Sequence, residues 1–512
     1  MTDVLIAGAG TVGLSAAVFL AHHGVRAQVV EREPGPRIHP RATGVGFRTV
    51  EFLREVGLER SVRDVAVDMS TGNLGKISGD TLAAAVLSAG DPVPAPGRTA
   101  PPGRTAPPPA YTPARLPGIC PQNRLDAVLL PAARDRGATV DYGVALERFT
   151  QDGDGVTATL SDGRTVRARY LVATDGVRST VRGALGIATH GPGNLGQPLM
   201  NTLLRADLSH LTRGRHFIAC QLTHPGAEGM LVTVDGHHEW VLHTEGADAP
   251  GIEHIRAALG SSDVDIEILG AMPWRVRAYV AERFLDGRVF LAGDAAHTIP
   301  PMGAFGMNTG IADAHNLAWK LALVLRGVAG SGLLDTYDTE RRPVAQFAME
   351  QAILRLGDPR LHWGSGPAVV EARAQAGAVN APIVHAAYRY DSTAIIDAEP
   401  ELPSTEDLTV ALDGAPGSRL PHAWVTEHVS TLDLVRSRFT LFIGAEDPAW
   451  RAAAARQGIA VRAVELPQIP CGGALLVRPD GFIAWRAGSG EADRLGATFD
   501  RLVDRRAPVP AA

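Results

Sequence analysis

The chain has 512 residues, of which 45% are hydrophobic and 20% are charged, and its formal net charge is −6. This length predicts two or three domains, and the composition is ordinary for a globular protein. Because there is no basic excess, nucleic acid and anionic membranes are excluded as main partners. The N-terminus lacks the features of a signal peptide, and no uninterrupted apolar run approaches the roughly 20 residues that span a bilayer. The sequence therefore predicts a cytoplasmic protein without membrane association.

The first 31 residues have the pattern of a strand–turn–helix–strand unit. Val4 to Ala7 and Ala27 to Val30 are apolar and strand-like, and Leu14 to Leu20 is an apolar helical run that ends before Gly24. The unit has about the length of one βαβ motif. The predicted fold class is therefore α/β, with a Rossmann-like domain at the N-terminus.

A glycine motif, Gly8-x-Gly10-x-x-Gly13, lies between the first strand and the helix. In this pattern the first glycine permits a tight turn, the second lets a pyrophosphate approach the backbone, and the third lets helix and strand pack closely. Glu31 ends the second strand, where a carboxylate accepts hydrogen bonds from ribose hydroxyls and disfavours a 2′-phosphate. The motif predicts FAD or NAD. The residues expected to contact it are Gly8, Gly10, Thr11, Val12, Gly13, Glu31 and Arg32.

A second candidate segment is Asp175-Gly176, which is followed by Ser179 and Arg182. By itself an Asp-Gly pair is most often a turn. Here the pair follows an apolar strand and precedes a predicted helix, whose first turn the hydroxyl of Ser179 can cap. Asp175 is therefore expected to face a cofactor that lies along the edge of the sheet.

The third segment favours a flavin over NAD. The apolar run Val289 to Ala292 leads into Gly293-Asp294, and the stretch from Pro300 to Asn308 is rich in glycine and proline. Such a stretch is expected to lie flat against a planar ring. A helix predicted from about Thr309 would then point its N-terminus at the ring, where the positive end of the helix dipole stabilises a reduced flavin.

In this order the three segments resemble the fingerprints of the FAD-dependent aromatic hydroxylases of the para-hydroxybenzoate and phenol hydroxylase type (group A flavoprotein monooxygenases). The nearest resemblance is to the actinobacterial hydroxylases of aromatic polyketides, such as aklavinone hydroxylase. It covers nearly the whole chain, because it continues through the stretches Arg41–Gly44, Pro121–Leu125, Asp313–Lys320, Leu334–Pro343 and Pro416–His422.

The resemblance implies further cofactor contacts. Arg41 and Gln122 are expected to contact FAD, and Asp294 is expected to bind its ribityl or pyrophosphate part. At Ala304 the sequence departs from the family, in which glycine is frequent, and the additional methyl group is expected beside the flavin. The contacts expected from the third segment are Gly293, Asp294, Pro301, Gly306, Met307 and Asn308.

The resemblance also implies the chemistry. In this family NADPH reduces the flavin as a transient co-substrate, O₂ adds to give a flavin hydroperoxide, and its distal oxygen is transferred to an electron-rich ring. The implied function is hydroxylation of a bulky polycyclic aromatic substrate of the polyketide type, with a homodimer as one option for the assembly. No catalytic residue is identified, and His297 is expected to be a structural hydrogen-bonding partner. Three alternatives stay open: Baeyer–Villiger oxidation, oxygenation that inactivates an antibiotic, and a flavin-bearing binding protein without turnover.

Between about residues 185 and 280 short runs alternate between apolar and polar residues, which predicts an inserted antiparallel sheet. Its inner face is expected to cover the substrate, and Trp274 is expected in the core. The expected domains are an FAD-binding domain of residues 1–180 and 275–400 and a substrate-binding sheet domain of 181–274 with part of 70–118. Five histidines of this region are each expected to be structural or solvent-facing: His216, His224, His237, His238 and His243.

The last part of the chain, residues 401–512, predicts a domain of its own. From about Asp407 the order of strand, helix, strand, hairpin and helix resembles a thioredoxin-like domain. The chain has three cysteines, Cys120, Cys220 and Cys471, and no CxxC pair. The sequence therefore predicts no thiol chemistry, no disulfide framework and no metal site. A role in packing or oligomerisation is expected instead.

Residues 91–118 differ from the rest of the chain because they are rich in proline. The sequence PGRTAP occurs twice there, at 96–101 and 102–107. Proline fixes φ and lacks a backbone donor, so this stretch is predicted to be neither a helix nor a central strand. An exposed loop is expected, with a lid over a ligand as the alternative.

Overall fold

The computed structural model describes residues 2–69, 73–89 and 109–505. The duplicated PGRTAP stretch lies outside these residues. Within them the architecture rests on three sheets of eight, seven and four strands. The predicted fold class is confirmed, because an α/β domain is combined with an inserted, mainly antiparallel sheet and a C-terminal domain of thioredoxin-like order. No helix in the described part of the chain is long and apolar enough to cross a membrane.

The eight-stranded sheet begins at the N-terminus. Five strands are parallel neighbours, in the order 289–291, 165–173, 2–7, 27–31 and 139–142. After strand 2–7 the chain adds strands 27–31 and 139–142 on one side of it, and later strands 165–173 and 289–291 on the other side. The strand order therefore reverses at strand 2–7. In open α/β sheets ligands bind at such a point, outside the carboxyl ends of the strands. The strands are Thr2–Ala7, Ala27–Glu31, Thr139–Tyr142, Leu146–Gln151, Val156–Leu160, Thr165–Ala173, Leu285–Asp286 and Val289–Leu291.

The seven-stranded sheet is antiparallel except for one edge pair, Lys76–Gly79 with Ala219–Leu222. Helices Leu82–Ser88 and Ile252–Leu259 pack on one of its faces and form a core with buried side chains such as Trp240. We call this face the covered face and the opposite one the open face. The strands are Lys76–Gly79, Thr189–Arg205, Ala219–Leu222, Gly229–Thr233, Glu239–Glu245, Glu267–Ala281 and His297–Thr298.

The four-stranded sheet lies near the C-terminus and has the order 460–463, 440–443, 474–477 and 483–487. Its first pair is parallel and the other two pairs are antiparallel. A helix connects the parallel strands and another follows the last strand, which is the thioredoxin-like order expected from the sequence. The strands are Thr440–Ile443, Ala460–Ala463, Ala474–Val477 and Ile483–Ala487, and a separate two-stranded ladder pairs Val67–Asp68 with Gly118–Ile119.

Two long helices, Phe305–Leu325 and Gly332–Gly357, connect these layers. The first begins four residues before the predicted start at Thr309, so that prediction is wrong. Gly303 and Ala304 both adopt positive φ and complete the turn, and helical geometry is therefore possible from Phe305 onward. The remaining α-helices are Thr11–His22, Phe47–Glu55, Glu59–Val65, Leu82–Ser88, Gln122–Asp135, Thr180–Ala184, Ser209–Thr212, Ile252–Leu259, Arg360–Trp363, Pro367–Ala376, Ala381–Ala386, Leu408–Ala411, Pro448–Gln457 and Leu495–Leu502.

Buried ion pairs join the C-terminal domain to the long helices. The carboxylate of Glu340 accepts hydrogen bonds from Lys320 at 2.7 Å and from Arg478 at 2.6 and 2.9 Å. The side chains of all three residues have 0% exposure. Asp480 pairs with Arg478 as well, so two positive and two negative charges balance within the core. The group is stable only as a set, because each charge has lost its water and depends on the others.

We expect Glu340→Gln to lower the free energy of unfolding by about 3–5 kcal/mol, because it leaves two buried cations without their shared anion. Denaturation by guanidinium, followed by tryptophan fluorescence, measures the loss. The matched control is Glu267→Gln, which breaks a pair with Arg205 in which both side chains are more than half exposed and should cost less than about 1 kcal/mol. Equal losses of unfolding free energy in the two variants would contradict the expectation that burial makes the Glu340 pairs more costly to break.

Candidate active site

Three segments that are distant in sequence meet at the carboxyl edge of the eight-stranded sheet. The register places Ala7 beside both Val30 and Ala173, and Ala173 beside Leu291. These strands therefore end side by side, and the glycine motif, the Asp175-Gly176 turn and the Gly293-Asp294 turn follow them directly. The three segments singled out in the sequence are thus neighbours in the fold.

The three glycines of the first segment differ in whether the protein itself requires a glycine at that position. A Cβ at Gly8 would lie 2.4 Å from the carbonyl oxygen of Thr174, and one at Gly13 would lie 1.9 Å from the carbonyl oxygen of Gly8. Both glycines are therefore required by the protein's own packing. Gly10 is not, since its φ of −74° suits any residue and no described atom lies within 4 Å of the position of a Cβ. The open space at Gly10 fits the close approach of a phosphate to the backbone at the start of helix Thr11–His22.

Glu31 orders this loop. One oxygen of its carboxylate accepts a hydrogen bond from the backbone N–H of Ala9 at 2.8 Å, and the other accepts one from Glu33 at 3.0 Å. A carboxylate has about four acceptor sites, so capacity for ribose hydroxyls remains. The next residue, Arg32, is exposed and pairs only loosely with Glu33, at 3.6 Å.

A hydrogen-bonded chain connects Gln122 to the glycine loop. The amide of Gln122 donates to the hydroxyl of Thr11 at 2.8 Å, and this hydroxyl donates to Asp126 at 2.5 Å. Burial raises the pKa of Asp126 to about 7. The arrangement fixes Gln122 beside the helix start at which the sequence predicted a contact with FAD.

Arg182 joins the second segment to the third. Its guanidinium donates to the carbonyl oxygens of Val177 at 3.1 Å and Ala295 at 2.7 Å, and it lies over the ring of Tyr279. Asp175 is turned towards the helix that follows, because its carboxylate accepts a hydrogen bond from the N–H of Val181 at 3.2 Å. Its other oxygen is buried and has no hydrogen-bond partner among the described residues.

Asp313 is a buried carboxylate at the centre of a hydrogen-bond network that no glycine motif indicates. Its carboxylate accepts hydrogen bonds from the N–H of Gly293 at 3.1 Å, from the ring of His297 at 2.7 Å and from Arg341 at 2.8 Å. Asp313 and Arg341 are 0% exposed and His297 is 1% exposed. The structural role expected for His297 is therefore confirmed. Neither Asp313 nor Arg341 was predicted as a site residue, although both lie in stretches that carry the family resemblance.

The side chain of Asn308 is used entirely within the protein. Its oxygen accepts hydrogen bonds from Gly46 and Thr49 at 2.8 and 2.7 Å, and its nitrogen donates to Gly44 and Ala304 at 3.0 and 2.6 Å. Any contact of Asn308 with a cofactor therefore falls to its backbone. The amide instead holds residues 44–49 against the first turn of the long helix.

Exposed and half-buried residues of these segments and of the stretch around Arg41 lie beside the seven-stranded sheet, and we call this region the cleft. Asp294, Arg41 and Pro301 are exposed there, whereas Gly306 and Met307 are half-buried in the first helical turn. The surrounding protein raises the pKa of Asp294 by desolvation, against the opposing charges of His297 and Arg41. Arg41 also reaches the sulfur of Met272 in the sheet, at 3.9 Å.

These residues fit FAD. The cleft offers an open backbone at Gly10, two helix N-termini at Thr11 and Phe305, and accessible carboxylates at Glu31 and Asp294. Helix N-termini bind anionic groups, and carboxylates bind the hydroxyls of ribose and ribityl chains. An extended dinucleotide whose phosphates lie near the centre matches this order of groups.

Comparisons with known proteins agree with the geometry. Residues 1–352 match the family model described as an FAD binding domain, and residues 413–505 match that of the aromatic-ring hydroxylase C-terminal domain. The chain belongs to the FAD-dependent aromatic-ring hydroxylases. It is 37% identical to tetracenomycin A2 monooxygenase-dioxygenase of Streptomyces glaucescens, over 99% of this chain and 98% of that one.

Two solved structures resemble this hydroxylase over nearly its full length. The flavin-dependent monooxygenase PieE, crystallised with FAD and substrate, is 31% identical with a TM-score of 0.83, and the match covers 99% of each chain. Aklavinone-11 hydroxylase, in a ternary complex with FAD and aklavinone, is 34% identical with a TM-score of 0.81, over 98% of this chain and 99% of that one. The chain is accordingly an FAD-dependent monooxygenase, as the resemblance in sequence implied.

We expect Gly10→Ala to weaken binding of FAD by this hydroxylase by about 1–3 kcal/mol, because its methyl group would enter the space that a phosphate needs. Titration of the apoprotein with FAD, followed by flavin fluorescence, measures the change. The control is Gly357→Ala, an exposed glycine at the end of a helix with open space around it, which should leave the affinity unchanged. Wild-type affinity in Gly10→Ala would contradict a phosphate at this position.

We expect Ala304→Gly to raise the free energy of unfolding by up to about 1 kcal/mol, because Ala304 has a φ of 55°, which glycine adopts without a steric cost. The reverse change at the neighbouring residue, Gly303→Ala, should destabilise the hydroxylase, since its Cβ would lie 2.4 Å from the ring of Phe305. Thermal unfolding compares both variants with the wild type. A lower midpoint for Ala304→Gly would show that the methyl group contributes packing that outweighs the strain.

Proposed function

We propose that this enzyme uses NADPH and O₂ to hydroxylate a bulky polycyclic aromatic substrate of the polyketide type. The observation that carries the proposal is that the three candidate cofactor segments meet at one sheet edge, while Arg41 reaches Met272 of the seven-stranded sheet. Two of the similar proteins support the substrate class, since one is named for tetracenomycin A2 and the other was crystallised with aklavinone.

In this proposal FAD is held by all three segments and by two residues between them. The glycine loop and helix Thr11–His22 receive the pyrophosphate, Glu31 receives the adenosine ribose, and the first turn of helix Phe305–Leu325 faces the ring. When bound, FAD would supply the redox chemistry, in which NADPH provides the electrons, one oxygen atom of O₂ enters the substrate and the other leaves as water. The proposed contacts are Gly8, Gly10, Thr11, Val12, Gly13, Glu31, Arg32, Arg41, Gln122, Asp175, Gly293, Asp294, Pro301, Gly306, Met307 and Asn308.

The protein's own contribution is positioning and electrostatics. The free N–H groups at the start of helix Phe305–Leu325 stabilise negative charge beside them by about 0.3–2 kcal/mol. The open face of the sheet excludes water from the opposite side. His297 is not placed to move a proton of the substrate, because it is buried and bonded to Asp313.

We further propose that residues 1–180 and 275–400 form the FAD-binding domain, that 181–274 with part of 70–118 form the substrate domain, and that 401–512 form the thioredoxin-like domain. Strand Glu267–Ala281 crosses the boundary between residues 274 and 275, so it belongs to both the substrate domain and the FAD-binding domain. The proposed setting is the cytoplasm, and the proposed assembly is a homodimer. Sedimentation analysis of the purified protein tests the assembly.

We expect the purified yellow protein to oxidise NADPH slowly alone and at least about tenfold faster with a polycyclic phenol, since the substrate completes the water-free site. Absorbance at the NADPH band measures this rate, and product mass after reaction under isotopically labelled O₂ detects the oxygen. One labelled atom in a new hydroxyl group supports hydroxylation, whereas one in a new ring ester supports the Baeyer–Villiger alternative. A flavin that NADPH cannot reduce with any polycyclic compound present would contradict enzymatic turnover.

A further inference from the structure

The open face of the seven-stranded sheet carries a row of side chains that the strand register defines. Asn201 is paired with His243 on one side and with Met272 on the other, and His243 is in turn paired with Met230. Paired residues of neighbouring strands point to the same face. Trp274 belongs to this face as well, because it pairs with Leu199, two residues before Asn201.

Three members of this face have polar atoms that are buried and have no hydrogen-bond partner among the described residues. They are Oδ1 of Asn201, Nδ1 of His243 and Nε1 of Trp274. Asn201 is only 6% exposed, and the rings of His243 and Trp274 lie 5.9 Å apart across the strand between them. Trp274 is half-buried on the open face, so its expected place in the core is wrong. An unpaired polar atom in a buried position costs about 1–3 kcal/mol, which makes three of them in one place a feature that needs an explanation.

The open face looks towards the cofactor cleft. Met272, in the same row, is contacted by Arg41, and the ring of His39 lies 3.1 Å from the backbone oxygen of Asn201. Arg41 in turn acts on the charge of Asp294. The three unpartnered atoms therefore lie on the side of the sheet at which a substrate meets the flavin, whereas the helices occupy the other side.

The three groups form a neutral set of donors and acceptors. Trp274 only donates and the amide oxygen of Asn201 only accepts. Burial and the nearby His39 lower the pKa of His243 to about 4, so its ring is uncharged at neutral pH and offers either function. The next row on this face is apolar and includes Leu203 and Val241. A flat apolar surface with a neutral polar patch suits a fused-ring compound that carries hydroxyl or carbonyl groups.

We propose that Asn201, His243 and Trp274 bind the hydroxyl and carbonyl edge of a neutral fused-ring substrate and so determine both its orientation and the preference for uncharged compounds. The inference rests on the function proposed above and deepens it, because it assigns recognition of the substrate to three residues. The three groups supply no cation, and Arg41, which reaches Met272, is assigned to FAD in the proposed function. An ionised carboxylate is therefore disfavoured in this place, since it would lose its water without a cation of its own. These are positioning residues, and none of them takes part in the oxygen transfer.

The test uses the holoenzyme and three probes with the same ring skeleton or nearly so: 1,8-dihydroxyanthraquinone, anthracene and anthracene-2-carboxylate. Dissociation constants are measured without NADPH, from the change in flavin fluorescence. Asn201→Leu removes the amide group and Trp274→Phe removes the indole N–H, and both keep most of the side-chain volume. The matched control is Thr202→Val, since Thr202 is the next residue of the same strand, has an equally unpartnered hydroxyl and points to the covered face.

We expect each of the two variants to bind dihydroxyanthraquinone about 5- to 10-fold more weakly, the equivalent of one net hydrogen bond. Anthracene should not bind more weakly to them, and Thr202→Val should bind all probes within about twofold of the wild type. In turnover the two variants should raise KM and leave kcat within about threefold, because the lost contact is equal in ground state and transition state. His243→Phe should behave in the same way as Trp274→Phe.

The inference is overturned if the two variants bind dihydroxyanthraquinone as the wild type does, if Thr202→Val weakens it equally, or if the wild type prefers the carboxylate. In each of these cases the wild type can still oxidise NADPH in response to a polycyclic phenol, and the proposed function then stands without this inference. If no probe binds the wild type and no polycyclic phenol accelerates NADPH oxidation, the proposed function fails first. The two failures are thus distinguishable.

Discussion

The third candidate segment for FAD, Gly293 to Asn308, depends on one buried carboxylate, Asp313. Burial alone would raise its pKa, but the charges of His297 and Arg341 hold it below the usual value. The charged carboxylate then fixes the N–H of Gly293 at 3.1 Å. A buried charge without partners costs several kcal/mol. The fold therefore keeps Asp313 only if the Gly293 turn, His297 and Arg341 are all in place around it. The position of the exposed Asp294 is therefore set by a residue that no cofactor touches.

Helix Gly332–Gly357, which carries Arg341, explains what the C-terminal domain contributes. Two consecutive residues point in different directions, since Arg341 binds Asp313 and the hydroxyl of Tyr390, whereas Glu340 binds Arg478 of the C-terminal domain. Glu51 forms a second connection, because its carboxylate pairs both with Arg48 on its own helix and with the buried Arg419 of the C-terminal domain. A domain without a CxxC motif thus has a physical function, because its buried cations complete charge networks that begin in the cofactor domain. Its removal would leave Glu340 with Lys320 alone and Glu51 with Arg48 alone.

The sequence predicted the parts of the site that depend on neighbours along the chain. Gly8 and Gly13 were recognisable because a turn and a close helix contact need glycine locally, and the thioredoxin-like strand order followed from local patterns. The partners of the Asn308 side chain could not be predicted from the sequence, because Gly46 and Thr49 lie about 260 residues away. The early start of the long helix was missed for a related reason, since Ala304 adopts a conformation that alanine disfavours and only the surrounding fold maintains.

In the proposed function the two large sheets recognise their ligands by different means. The eight-stranded sheet presents backbone groups and turns at its carboxyl edge, and such contacts tolerate few changes because a Cβ at Gly8 or Gly13 would collide with the protein itself. The open face of the seven-stranded sheet presents side chains, and a substitution on one strand there leaves the backbone ladder intact. Cofactor binding can therefore be preserved while the face that meets the substrate changes residue by residue. Such a division allows one fold to hydroxylate different ring systems without rebuilding its FAD site.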